Sequence, residues 1–99
     1  MEELLNIEWS EIAALQLDKF YNYILFEWTS REAEKFLDQV QEFELIVSKY
    51  PLAFIQSKRK KQYRIGLVHR NVSAIYQIKA NKIVIIALID NRSSKKVRQ

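Results

Sequence analysis

The sequence predicts a two-layer α+β domain, with an N-terminal helical hairpin packed on a mainly antiparallel twisted sheet. Three observations carry this. Apolar residues between Ala13 and Tyr50 recur every three or four positions, whereas from Tyr63 to Ile78 they recur every second position. The hydrophobic fraction of 48% beside a charged fraction of 28% is that of a globular chain. With 99 residues there is room for one core, so the hairpin has only one sheet face on which to bury its stripe.

The elements follow in order. Leu4 to Trp9 reads as a short strand, Leu5, Ile7 and Trp9 alternating with the residues between them. Ser10 is placed to cap a helix whose stripe is Ala13, Leu17, Phe20, Ile24 and Trp28. Thr29 and Glu32 have the spacing of a capping box for a second helix. Ala33, Phe36, Leu37, Val40, Phe43, Val47 and Tyr50 mark its buried face, and Pro51 ends it because the proline ring cannot continue a helix. Residues 52–61 read as a loop. Tyr63 to Val68 and Val72 to Lys79 then alternate as strands, with turns at Arg70-Asn71 and at Ala80-Asn81, where asparagine tolerates positive φ. Lys82 to Asp90 is nearly continuous in apolar residues, as an inner strand covered on both faces would be. The expected order is β-α-α-β-β-β over a single domain, residues 1–99, ending in a basic, flexible tail from about residue 91.

Composition excludes several classes of function. Without cysteine there is no disulfide framework and no thiolate metal site. No Gly-rich phosphate loop or histidine metal cluster is present, so neither a cofactor nor a metal is expected. The longest apolar run, Ile83 to Ile89, is too short to span a bilayer, and no secretory signal segment precedes the domain. A cytoplasmic protein is expected.

Charge is distributed unevenly. Eleven of the twelve acidic residues lie between Glu2 and Glu44, and thirteen of the sixteen basic ones lie from Lys49 onward. Such asymmetry points to a polyanion or an acidic protein as partner. The densest cations are Lys58, Arg59, Lys60 and Lys61, a block suited to salt-sensitive phosphate binding. Arg64 follows an aromatic at the start of a strand, and a guanidinium there could clamp phosphate oxygens. Arg92 lies just beyond the last strand. His69, the sole histidine, titrates in the range needed for proton transfer, although a solvent-facing histidine at a hairpin end is common.

Several of these segments, taken in order, resemble the RelE/ParE toxin superfamily. They are Ile7-Glu8-Trp9-Ser10, Ala14-Leu15, Tyr23-Ile24, Trp28, Ala33 to Leu37, Pro51, Tyr63-Arg64, Ile75 to Ile78, Ile85 to Asp90, and Arg92. The resemblance implies the toxin of a bacterial type II toxin–antitoxin pair, neutralised by a cognate antitoxin. It implies one of two targets: ribosome-bound messenger RNA, cleaved without a metal, or DNA gyrase, inhibited without catalysis. On the RelE-like side Arg64 and Arg92 would be the catalytic arginines. Lys58, Arg59, Lys60, Lys61 and His69 would bind nucleic acid or the target. Metal-free cleavage also needs proton-transfer groups. No tyrosine follows Arg92, no acidic residue lies between Pro51 and Val84, and no histidine follows His69. The residues leave both targets open. A small basic RNA-binding or assembly domain without toxin activity is the alternative.

Overall fold

The computed structural model describes residues 4–92 of the chain. The elements are β1 (Asn6–Trp9), α1 (Glu11–Glu27), α2 (Ser30–Lys49), β2 (Ile55–Gln56), β3 (Tyr63–His69), β4 (Val72–Lys79) and β5 (Lys82–Asp90). They form one five-stranded sheet in the order β1-β5-β4-β3-β2. All pairings are antiparallel except β1 with β5.

This is the expected α+β layout with one addition. The loop after Pro51 contains the two-residue strand β2, whose Ile55 and Gln56 pair with Ile65 and Arg64. A strand of two residues has no period, so the sequence could not announce it. β5 is an inner strand, as its apolar run implies. Two other local expectations shift. β1 is shorter than Leu4 to Trp9, beginning at Asn6. At the second hairpin the positive φ belongs to Ala80 (44°), not to Asn81. The pairing of Lys79 with Lys82 leaves two residues in that turn, and a left-handed first residue suits a type II′ geometry. The expected tail begins with a helical turn at Asn91 and Arg92, and residues 93–99 lie outside those described.

Both helices start where the caps predict. Ser10 Oγ accepts from the Ala13 amide at 3.0 Å, and Thr29 Oγ1 from the Glu32 amide at 3.0 Å. Pro51 follows α2, which ends at Lys49. The buried face of α2 runs Ala33, Phe36, Val40, Phe43 and Val47, and packs over Val72, Ala74 and Tyr76 of β4 and Ile83, Ile85 and Leu88 of β5. Strand alternation sends Ile65, Ile75, Val84, Ala87 and Ile89 to the opposite face of the sheet.

The first helix is fixed to the sheet through an irregularity. β5 carries one extra residue, Ile86, opposite the step from Ile75 to Tyr76. A bulge leaves backbone groups without a ladder partner. Side chains near the start of α1 supply them: Ser10 Oγ donates to the Ile86 carbonyl at 2.7 Å, and the Leu88 amide donates to Gln16 Oε1 at 2.7 Å. At the other side of the hairpin, Trp9 Nε1 donates to Glu44 Oε2 at 2.7 Å, tying β1 to α2. No described helix is long and apolar enough to cross a membrane.

Candidate functional site at two ends of the sheet

The candidate residues separate into two groups. Arg64 is the second residue of β3 and His69 its last, five residues away, or about 17 Å along an extended strand. Lys58 to Lys61 lie at the Arg64 end, and Arg92 lies at the His69 end.

At the first end, Arg64 sits opposite Tyr76 and so shares its helix-facing side of the sheet. Its Nη1 donates to the Phe54 carbonyl at 2.6 Å. Tyr76, fully buried, donates its hydroxyl to the Pro51 carbonyl at 2.7 Å. Burial raises the phenol above its ordinary value, so it remains a donor at neutral pH. Two side chains thus hold the segment after α2 by its backbone. Phe54 packs on Phe43 with ring centroids 5.3 Å apart, over Gly66. A Cβ at Gly66 would come within 2.7 Å of the Phe54 ring, so only glycine lets the ring lie against β3.

The basic block hangs from this platform. Gln56 Nε2 donates to the Lys61 carbonyl at 3.1 Å, and the Tyr63 amide to the Lys60 carbonyl at 2.9 Å. Lys58, Arg59, Lys60 and Lys61 are all exposed, and none enters an ion pair among the described residues. Four adjacent cations outside any ion pair among the described residues concentrate positive charge on this pinned loop.

The second end is a groove between α1 and the far ends of β3, β4 and β5. Asn91 follows β5 directly at this end. The Asn91 amide donates to the Asn71 carbonyl at 2.8 Å, and Ser73 Oγ donates to Asn91 Oδ1 at 3.2 Å. The chain leaving β5 is thereby turned toward α1. Arg92 then lies over the Tyr23 ring, its guanidinium carbon 5.6 Å from the centroid, with Asp90 Oδ1 3.5 Å from its Nε. Contact with the Tyr23 hydroxyl, and then the Asp90 charge, favour the charged form of Arg92. His69 lines the same end. It meets the Phe36 ring edge-on at 5.6 Å and accepts the Asn71 amide on Nδ1 at 3.2 Å. Burial, and then the Arg70 charge, lower its pKa, so it is neutral at pH 7.

The two candidate catalytic arginines are therefore not brought together. His69 is apart from the lysine block and beside Arg92. Of the groove residues Gln16, Lys19 and Tyr23, the sequence pattern singled out only Tyr23, as part of a family-like segment and not as a site residue. Their spacing of three and four places them on one face of α1, and that is the signal in the sequence that could have found them. Among the described residues there is no cluster able to hold a metal ion.

A family model described as the ParE toxin of the type II toxin–antitoxin system parDE matches residues 7–95. Among solved structures, a chain of the chromosomal ParDE toxin–antitoxin system from P. aeruginosa superposes with a TM-score of 0.74 at 18% identity. The alignment covers 90% of this chain and 98% of that one. The YoeB dimer structure from Staphylococcus aureus gives 0.57 at 17% identity, covering 84% and 92%. A conserved hypothetical protein from Helicobacter pylori gives 0.57 at 13% identity, covering 90% and 97%. At these identities the likeness is one of fold. No curated protein sequence matches.

Proposed function

Because the chain belongs to the ParE toxin family of type II toxin–antitoxin systems, we propose that this toxin acts by binding DNA gyrase rather than by cleaving messenger RNA. A cognate antitoxin would hold it inactive. The observation that carries the choice of target is the separation of Arg64 from Arg92. Metal-free RNA cleavage needs charge stabilisation and proton transfer converging within hydrogen-bond reach of one phosphate. Arg64 instead donates to the Phe54 carbonyl, while Arg92 lies over Tyr23 at the opposite end of the sheet.

A binding mode asks less of the chain. The pinned loop offers Lys58, Arg59, Lys60 and Lys61 to an anionic surface, either acidic protein or the DNA that gyrase holds. On this reading Arg64 works through the loop, as a positioning residue.

The test is a gyrase supercoiling assay run beside a bacterial translation extract. The purified protein is expected to block supercoiling and to leave messenger RNA ends unchanged. Replacing Lys58, Arg59, Lys60 and Lys61 together by alanine is expected to weaken inhibition by about tenfold or more at low salt, with the difference shrinking as salt rises. Ribosome-dependent cuts within codons, with supercoiling intact, would reverse the choice of target.

A further inference from the structure

The tertiary structure gathers more cations at the loop end of the sheet than the loop itself holds. The loop of Lys58, Arg59, Lys60 and Lys61 runs into β3 at Tyr63, which pairs with Gln77 near the end of β4. Just beyond Gln77, Lys79 pairs with Lys82 across the turn into β5. Lys82 in turn lies opposite Asn6 at the start of β1. The Leu5 amide donates to the Ser48 carbonyl at 3.1 Å, which brings Lys49, the last residue of α2, to the same end. Lys49 and Lys79 are exposed, and neither enters an ion pair among the described residues.

Little offsets this charge. No acidic residue occurs between Pro51 and Val84, a stretch that covers the loop, β3, β4 and the hairpin turn. Glu8 is held by Lys82 at 2.8 Å, and Glu44 accepts from Trp9 Nε1 at 2.7 Å. The cations therefore form a rim across the strand ends, from the β1 edge to the β2 edge. Strand spacings of about 4.8 Å make that rim roughly 19 Å wide.

The chemistry of the rim selects its occupant. The core of a protein interface is apolar and aromatic and is depleted in lysine. Residues 57–62 and 79–82 carry no large apolar side chain. Single-stranded nucleic acid is held by bases stacked on aromatic rings. Here Phe54 packs on Phe43, Tyr63 is half-buried, and Tyr50 carries Lys49 over its ring, 5.6 Å from the centroid. A phosphate backbone suits such a surface, and in a duplex it runs along both edges of each groove. A rim of roughly 19 Å is wider than the major groove of about 12 Å, so its two halves reach the backbones on both sides.

We propose that this rim binds the phosphate backbone of double-stranded DNA directly, without base readout and without gyrase. The site rests on the reading above for the end of the molecule that faces the target, and it adds Lys49 and Lys79 to the loop as DNA contacts.

The probe is a fluorescent random-sequence DNA duplex, titrated with the full chain and followed by anisotropy. A micromolar Kd is expected at about 50 mM salt, rising by about 100-fold or more at about 200 mM, as four or so phosphate contacts require. Lys49→Ala combined with Lys79→Ala is expected to raise Kd by about tenfold at low salt and to reduce the salt slope by about 2. Arg31→Ala combined with Arg70→Ala removes the same charge from exposed positions at the opposite end, and is expected to leave Kd unchanged. Melting curves check that the fold is kept, and Lys49→Gln with Lys79→Gln is used if alanine disturbs α2. Affinities of the two double variants that agree to within about twofold would overturn the site. So would the absence of wild-type binding up to about 100 μM, the weak limit for nonspecific DNA contacts. Tighter binding of a single-stranded RNA of equal length would make RNA the occupant and sink the proposal. Supercoiling inhibition is measured on the same preparations. Inhibition by a wild type that binds no duplex would keep gyrase as the target and remove the DNA site. Duplex binding without inhibition would remove gyrase and keep the DNA site.

Discussion

The loop end and the groove end of the sheet each hold an arginine beside an aromatic residue, and they use it differently. At the loop end the Arg64 guanidinium donates to a backbone carbonyl, and the cations left for solvent are the four residues of the adjacent loop. At the groove end Arg92 is itself exposed, lying over Tyr23 with Asp90 beside it. The difference arises from strand parity. Arg64 pairs with Tyr76 and therefore points to the helix-covered side, where a guanidinium needs a buried acceptor. Arg92 lies beyond the last pair of β5 and is free of that constraint. One arginine thus acquires a structural role and the other a surface role.

This comparison can be broken from either end. The largest effect belongs to the core beneath the groove. Phe36 is fully buried and supports both Phe20 and His69. Phe36→Ala is expected to lower stability by about 3–5 kcal/mol in urea unfolding, through lost burial and the cavity left behind. Next comes the loop end, where Gly66→Ala drives a methyl into Phe54 and Phe43. A loss of about 1–3 kcal/mol is expected, together with reduced gyrase inhibition as the loop lifts. Tyr76→Phe removes only the bond to the Pro51 carbonyl. A loss of about 1–2 kcal/mol is expected, and hydrogen exchange should quicken first in residues 51–62. A slowing or no change in exchange there would deny the hydroxyl its role as a clamp.

The smallest effect is a pH dependence at the groove end. His69 in the folded chain has a pKa below its ordinary value, from burial first and Arg70 second. As pH falls through the unfolded histidine value of about 6.5, the unfolded chain takes up the proton before the folded one. The contribution is therefore fully present above that pH and is lost as pH drops toward the lower folded value. Glu32 works against the shift and Arg92 with it. In unfolding titrations between pH 7.5 and 5.5, conditions chosen to bracket about 6.5, His69→Gln should remove a shallow slope. An unchanged slope would assign it to other groups.

Much of this organisation was legible beforehand. The caps at Ser10 and Thr29 and the stop at Pro51 appear where their chemistry requires. The switch from a three-to-four period to a period of two marks the passage from hairpin to sheet. β2 was not legible, because its two residues are held by pairing with β3 and by no pattern of their own. Nor was the left-handed Ala80, since asparagine beside it is the residue that tolerates that conformation better.

The sequence by itself determined what is local: helix limits set by caps and proline, strands set by alternation, and a basic second half following an acidic first. Family membership was legible because it lies in the order of these elements and in short segments along the chain. Only the tertiary structure decided which charges stand together. The bulge at Ile86, the pairing register of β3 and the turn of Asn91 toward α1 place Arg64 and Arg92 at opposite ends and bring Tyr23 and His69 to the Arg92 end. Register and bulges depend on long-range pairing and on side chains such as Ser10 and Gln16 that satisfy distant backbone groups, and one stretch of sequence does not contain its partners.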